Sequence, residues 1–258
     1  MIKNSFKILV AFYISGISYR LFVNDSFNFH EILNIVLLFD IPGYSEFLLS
    51  FFLVILFSVI FSGYIREAIL NKWLILFSIS LCLSFTFIDY FLVNIPQVGL
   101  IIGTTQYSAF PVIQYFPLFL LGGLFAHRQV TFSWMYTALA GFAIIEFIII
   151  ALIQGGVPSR FPPSASWILG SFGLVYFYYV FSILIDKIPC VAESLRNIGS
   201  NVLYWLLTSN ILIFSLTLRI DRNSLTPEKT LIIYAIIVFV VYYLSTMITK
   251  PERALQRT

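Results

Sequence analysis

Charge is the scarcest property of this 258-residue sequence: 10% of its residues are Asp, Glu, Lys or Arg, whereas 60% are hydrophobic. Soluble domains carry about 25% charged residues, which they need to cover a surface that faces water. The mean hydropathy of +0.95 points in the same direction. These values exclude a water-soluble globular domain and predict a protein whose surroundings are a lipid bilayer.

Histidine and cysteine are also rare, with two residues of each type. The sequence has no Cys/His pair at metal-ligand spacing, no Walker loop, no dinucleotide-binding glycine pattern and no Gly-x-Ser-x-Gly elbow. His30 and His127 are predicted on opposite faces of the membrane, and Cys82 and Cys190 lie at depths that do not suit a disulfide. We therefore predict no metal site, no bound cofactor and two free thiols.

Long apolar runs recur along the whole chain instead. Each is long enough, at about 18 to 23 residues, to cross roughly 30 Å of hydrocarbon. The predicted fold class is all-α, a polytopic membrane helix bundle of about eight transmembrane helices, and the short connections predict one integral membrane domain over residues 1–258. The predicted spans are 6–23, 45–64, 73–93, 111–126, 132–153, 165–185, 200–219 and 230–249.

The distribution of cations predicts the orientation of this bundle. With the N-terminus inside, ten of the fifteen Lys and Arg residues fall on the inner face and five on the outer face. The positive-inside rule then predicts that both termini are cytoplasmic and that the protein lies in the cell (inner) membrane. The net charge of +3 reflects this bias. No basic stripe interleaved with aromatic residues indicates a nucleic-acid partner.

Apart from Glu46 at the start of the second predicted span, two carboxylates fall within predicted spans. Glu146 is central in "GFAIIEFIIIALIQGG", and Asp89 is near the outer end of its span in "FTFIDYFLV". An ionisable group at such a depth costs a few kcal/mol, so it usually faces a partner or a wet cavity. Glu146 is predicted either to line such a cavity or to be neutral and hydrogen-bonded within the bundle. Asp89 is predicted either to serve a substrate path or to reach the membrane surface.

The fourth predicted span ends in "LFLLGGLFAHRQ". Gly122 and Gly123 are predicted to let a neighbouring backbone approach closely, as small residues do between membrane helices. His127 and Arg128 mark the inner end of the span. We predict that they contact lipid head groups rather than act as catalysts.

The stretch "SRFPPSASWILGSFG" places a cation and two prolines directly before an apolar helix. Pro162 and Pro163 suit the first turn of a helix, where a missing N–H costs nothing. Arg160 is predicted either to sit at lipid head-group level or to meet an anion at the mouth of the bundle, since its planar guanidinium matches phosphate and oxyanion groups.

The order of these features resembles the membrane acyltransferase-3 family, which is related to heparan glucosaminide acetyltransferase-like proteins. The segment "PVIQYFPLFLLGGLFAHR" is similar to a Tyr-Phe-Pro helix of that family. The segments "SRFPPSASWILGSFG" and "LRNIGSNVLYWLLTSNILIF" resemble its Pro-Pro-Ser boundary and its Gly-x-Asn-Ser-Leu helix. The resemblance covers about residues 5–250 and the later four-fifths of a family member.

The sequence also departs from this family. Members begin with two further helices, the first of which carries an Arg and, eleven residues later, the His assigned as catalytic base. Arg20 and His30 are ten apart and are predicted outside a single membrane helix, so the catalytic role is not carried onto them. Ser209, followed by Asn210, stands where many relatives have a second His. The catalytic residues are therefore not assigned.

The resemblance implies transfer of an acyl group, often acetyl, from acyl-CoA (acetyl-CoA) as donor substrate to a cell-surface glycan or lipid. Such a reaction needs a base for the acceptor hydroxyl and donors or cations for the developing oxyanion and for phosphates. The candidate substrate- or donor-binding residues are Arg160, Glu146, Ser209, Asn210 and Asp89.

Three functions remain open from the sequence. The first is an acyltransferase-like protein, complete or assisted by a partner protein that supplies the missing helices; a homo-oligomer is also open. The second is a non-catalytic accessory subunit. The third is a small transporter or flippase for a polar lipid-linked substrate, with Glu146 and Asp89 in its path.

Overall fold

The computed structural model describes residues 2–23, 28–88, 95–103, 110–217 and 226–255. It is 83% helical, and the described residues contain no β-strand, which confirms the all-α fold class. The α-helices of this part of the chain are α1 (Ile2–Val23), α2 (Phe29–Val36), α3 (Glu46–Ile60), α4 (Ser62–Leu70), α5 (Lys72–Ser84), α6 (Pro96–Ile102), α7 (Val112–Arg128), α8 (Trp134–Gln154), α9 (Ala165–Ile185), α10 (Pro189–Ser200), α11 (Val202–Thr217) and α12 (Pro227–Leu255).

Four of these helices are long and apolar enough to cross a membrane: α1, α8, α9 and the Pro227–Met247 part of α12. Two pairs of helices are each bent at a short break: α3 meets α4 at 84°, and α10 meets α11 at 77°. If each bent pair counts as one span, the pairs add two further spans. Only 6% of the span window of α8 is buried. Its exposed apolar side chains, such as Phe142 and Leu152, therefore suit contact with lipid rather than with water.

The described helices thus provide four to six candidate spans rather than the predicted eight, although each predicted span overlaps at least one helix. The predicted span 165–185 matches α9 at both ends, whereas the predicted span 45–64 is broken at Phe61. The helices α5 and α7 are shorter, at 13 and 17 residues.

The chain divides into two compact units, of which the first comprises Met1–Lys7 and Glu46–Ile188. In this unit α8 and α9 form an antiparallel pair that is held by small residues of α9. A Cβ atom on Gly173 would lie 2.7 Å from the backbone oxygen of Ala140, and one on Gly170 would lie 2.7 Å from the Phe147 ring. These two glycines allow the helix pair to pack closely.

The two glycines of α7 pack differently from the prediction. The space beside Gly122 is empty to 4 Å, and a Cβ on Gly123 would meet the side-chain tip of Ile69 rather than a backbone. The predicted close backbone approach is therefore wrong for both positions. The close packing of α7 comes instead from Leu120 and Leu124, which belong to an apolar cluster with α4 and α5.

The second unit comprises Ile8–Ser45 and Pro189–Thr258. Inside it, the side chain of Asn210 on α11 donates to the Ser15 hydroxyl of α1 at 3.3 Å and to the backbone oxygen of Tyr44 at 3.2 Å. The Ser45 hydroxyl donates to Ser15 at 3.0 Å. These polar contacts join α1, α11 and the segment before α3 without involving a charged group.

Candidate substrate-binding site

The segment between α8 and α9 forms a tight turn that presents Arg160. Arg160 and Pro163 pair across this turn, and the Phe161–Pro162 peptide bond is cis. The Ser159 hydroxyl donates to the Pro162 carbonyl at 2.9 Å, and the backbone N–H of Ser164 donates to the Ser159 carbonyl at 2.9 Å.

Ser164 then caps α9, since its hydroxyl accepts from the Trp167 N–H at 3.2 Å. The helix begins at Ala165. The expectation that Pro162 and Pro163 occupy the first turn of the helix is therefore wrong: both prolines belong to the turn that precedes the cap.

Arg160 lies between two phenyl rings. Its guanidinium carbon is 4.7 Å from the Phe110 ring centroid and 4.6 Å from that of Phe161. These rings meet edge to face, with centroids 5.4 Å apart. Stacking of this kind orients the planar guanidinium. The Arg160 side chain is exposed and makes no ion pair with any residue in the described ranges, so its donors are available to an anionic ligand.

The position of Phe110 is fixed by α3. The Ser50 hydroxyl donates to the Phe110 carbonyl at 2.5 Å, and the rings of Phe47 and Phe110 lie 6.5 Å apart. Phe110 lies two residues before the start of α7, and its contacts with α3 hold it where it supports Arg160.

Two buried polar side chains of α7 continue the site. The ring of Tyr115 lies 5.1 Å from that of Phe110, and its hydroxyl lies close to Trp167 and within electrostatic reach of Arg160. The amide nitrogen of the neighbouring Gln114 bonds to the Ile102 carbonyl. The Gln114 Oε1 atom is buried and has no hydrogen-bond partner among the described residues, and the buried Tyr115 hydroxyl has the Trp167 side chain beside it. Buried polar atoms are bonded in most native structures, so both atoms are candidate hydrogen-bond partners for a ligand.

Glu146 meets the first turn of α9. Its Oε1 atom accepts from the Ser166 hydroxyl at 2.5 Å. Its Oε2 atom is buried without a partner among the described residues. A helix N-terminus carries a partial positive charge, which favours a carboxylate at this position. Glu146 is thus hydrogen-bonded within the bundle and also retains one free acceptor.

A series of contacts joins Glu146 to Arg160. The Ser166 partner of Glu146 is next to Trp167, whose ring lies 6.0 Å from that of Phe147. Trp167 approaches Tyr115, which packs on Phe110 beneath Arg160. We call these residues the Arg160 cluster: Phe110, Gln114, Tyr115, Glu146, Arg160, Phe161, Ser166 and Trp167.

The other predicted candidates do not belong to this cluster. Ser209 and Asn210 lie in the second unit, where the Ser209 hydroxyl donates to the Leu206 carbonyl at 3.0 Å and Asn210 makes the contacts described above. Both side chains thus already have structural partners. Asp89 lies outside the described residues.

Arg20 and His30 are also separate from each other. Arg20 lies in the last turn of α1, and its Nη2 atom is 2.5 Å from Asp40 Oδ2. His30 is an exposed residue of α2. The observed partner of Arg20 is therefore a carboxylate, and no Arg–His pair forms here.

The described residues contain no group of three His, Cys, Asp or Glu side chains that could hold a metal ion, and Cys82 and Cys190 are free. Fold and site together define an all-α integral membrane protein with a polar cluster inside one of its units. No family model, curated protein or solved structure matches the chain.

Sequence reasoning found Arg160 and Glu146 but missed Tyr115, Gln114 and Ser166. For Gln114 and Tyr115 a signal was present, because they are polar residues between two prolines in the otherwise apolar "PVIQYFP". Ser166 had no such signal, since its role depends on how α8 and α9 are aligned.

Proposed function

We propose that this chain is a membrane-embedded acyltransferase-like protein that takes part in O-acyl modification, in the simplest case O-acetylation, of a cell-surface glycan or lipid. The proposal rests on the resemblance to the acyltransferase-3 proteins and on one structural observation, the exposed Arg160 guanidinium held between Phe110 and Phe161. The donor would be acyl-CoA, and the acceptor would carry a hydroxyl.

The chemistry of the Arg160 cluster suits this reaction. In acyl transfer the acceptor oxygen bonds to the thioester carbonyl carbon, the C–S bond breaks, and the hydroxyl proton goes to a base and then to the leaving thiolate. Arg160 offers a planar fork for a phosphate or for the developing oxyanion. Tyr115, Gln114 and the free oxygen of Glu146 supply hydrogen-bond partners for a polyhydroxylated acceptor.

The proposal includes eight spans with both termini cytoplasmic. Six follow if each bent pair is one span. The proposal adds the shorter helices α5 and α7 as the other two. A 17-residue helix such as α7 is about 25 Å long, slightly less than the hydrocarbon core, which a thinned bilayer accommodates. In this arrangement the Arg160 cluster opens to the outer face, where a cell-surface acceptor is found.

The test is the O-acetyl content of the cell envelope in a deletion strain complemented with variants. We expect Arg160→Gln to lower the alkali-released acetate at least about tenfold, because a hydrogen bond to a charged group contributes roughly 1.5–3 kcal/mol. Arg160→Lys should retain an intermediate level, since it keeps the charge but not the fork. Glu146→Gln keeps the shape and the Ser166 contact, so it should reach the membrane normally and reduce acetate release.

Lys187→Gln is the matched control, because it removes an exposed cation of the same unit outside the Arg160 cluster. Acetate release at the wild-type level in the deletion strain would refute the function. Equal losses in Arg160→Gln and Lys187→Gln would refute the site.

A further inference from the structure

The first unit contains a second polar region, at the opposite end of α7 from the Arg160 cluster. A cavity of about 350 Å³ lies there between α3, α4 and α7. Volumes of roughly 300–1,000 Å³ are typical of sites for small ligands. The cavity shares no residue with the Arg160 cluster.

The bend between α3 and α4 creates this cavity. Because α4 leaves α3 at 84°, Arg66 of α4 comes to line the same space as Ser58 near the end of α3. Asn71 then ends α4 and caps α5 by accepting from the Trp73 N–H at 3.0 Å. The direction of α4 is thus fixed at both of its ends.

The lining of the cavity changes from polar to apolar along α7. His127, near the end of α7, lines the polar part of the cavity. Phe119, eight residues earlier on the same helix, lines the apolar part. Eight residues of helix correspond to about 12 Å along its axis. Phe119 also packs against the apolar cluster that contains Ile65. The cavity therefore joins a cationic end to an apolar wall.

The charge of this lining is positive. Arg66 and His127 line the cavity, no Asp or Glu does, and neither residue forms an ion pair with a described residue. Glu67, the acid next to Arg66 in the sequence, is not part of the lining. Leu70, at the rim, is more than half exposed, at 56%. A ligand that matches these features has an anionic head and an apolar tail, and it enters from the bilayer.

We propose that this cavity binds an anionic phospholipid of the surrounding bilayer. The lipid phosphate lies at Arg66 and His127, where the guanidinium fork donates to two phosphate oxygens, and an acyl chain lies along Phe119 and Ile69. The proposal is independent of the acyl-transfer function, because its ligand is a component of the membrane and its residues are separate from the Arg160 cluster.

The experiment uses the purified full-length protein in a neutral detergent, with native mass spectrometry to count retained lipids and thermal unfolding to measure stabilisation. Phosphatidylglycerol, phosphatidylcholine and inorganic phosphate are added in separate arms. We expect phosphatidylglycerol alone to be retained and to raise the unfolding temperature. Arg66→Gln should weaken this binding about tenfold or more, since it removes a charge-assisted pair.

Two further variants keep the test decisive. Ser62→Phe fills the cavity without changing its charge and should also abolish retention, whereas Lys187→Gln should bind as the wild type does. Equal effects of the two phospholipids, the same stabilisation by inorganic phosphate, or equal losses in Arg66→Gln and Lys187→Gln would overturn the proposal.

Discussion

The hydroxyl of Tyr176, on α9, forms hydrogen bonds with residues at the start of α8. Tyr176 is 1% exposed, and its hydroxyl donates to the Ser133 carbonyl at 3.1 Å, accepts from the Ser133 N–H at 3.4 Å and lies 3.2 Å from the Thr137 hydroxyl. Ser133 is the residue before α8. The Tyr176 hydroxyl therefore accepts from the Ser133 N–H, which no helix bond reaches, and adds a bond to the Ser133 carbonyl, which also accepts from the Thr137 N–H at 2.9 Å.

We expect Tyr176→Phe to lower the free energy of unfolding by about 1 kcal/mol, because it removes the hydrogen-bond partner of the Ser133 N–H while keeping the ring. Denaturant titration of the purified protein in detergent measures this change. Tyr178→Phe is the control, since Tyr178 is 73% exposed on the same helix. Equal stabilities of the two variants would show that Ser133 does not depend on Tyr176.

Single residues also show what the sequence could not reveal. Arg160 was identified from its position before an apolar helix, but its support by Phe110 depends on a contact across 50 positions of the chain. Ser15 and Ser45 carry no charge and match no motif, so their contacts with each other and with Asn210 could not be foreseen.

At the scale of the helices, close packing depends on where a glycine faces. Gly173 lies against the backbone oxygen of Ala140, whereas Gly122 faces empty space. Both belong to predicted spans, and the pair in "LFLLGGLFAHRQ" looks more like a packing motif than the pair in "ILGSFG". Hydropathy located both helices but could not show which face of each meets a neighbour.

These two glycines give a matched pair of variants. Gly173→Ala should lower the free energy of unfolding by about 1–3 kcal/mol, because its Cβ would lie 2.7 Å from a backbone atom that cannot turn aside. Gly122→Ala should be neutral or slightly stabilising, since alanine is the better helix former. Thermal unfolding in detergent measures both. If Gly173→Ala leaves the free energy of unfolding unchanged, α8 and α9 do not pack closely at Gly173.

The breaks in the helices were the least predictable feature at this scale. The run 45–64 is mostly apolar, and the Ser62–Gly63 pair directly after Phe61 is the local signal at the point where α3 gives way to α4. Asn71, which both ends α4 and caps α5, was a second signal for a change of direction. The cavity beside Arg66 depends on this bend, so the sequence alone could not predict it.

At the scale of the whole molecule, the distribution of cations predicts the orientation in the membrane. Single cysteines at Gly43 and Gly156, placed in a background with Cys82 and Cys190 replaced by Ser, should react with an impermeant thiol reagent on intact cells. A cysteine at Lys187 should react only after the cells are opened. These positions suit labelling because Gly43, Gly156 and Lys187 are exposed. Labelling of the Lys187 position on intact cells would reverse the topology.

The last prediction concerns what the chain can do alone. The sequence has two histidines, and neither belongs to the Arg160 cluster: His30 is exposed on α2, and His127 is at the other end of α7. A positioned base contributes about 10²–10⁴-fold to a proton transfer. Glu146 is the available carboxylate, but one of its oxygens already accepts from Ser166.

We therefore expect the purified chain, supplied with acetyl-CoA and hydroxylated glycan acceptors, to release no free thiol above the background rate, although Arg160 still binds substrate. Co-expression with a protein that contributes a membrane helix carrying Arg and, eleven residues later, His should restore turnover that depends on Arg160. Thiol release by the chain alone that disappears in Glu146→Gln would contradict this expectation. It would identify Glu146 as the base, because the amide that replaces the carboxylate has no basic oxygen to accept a proton.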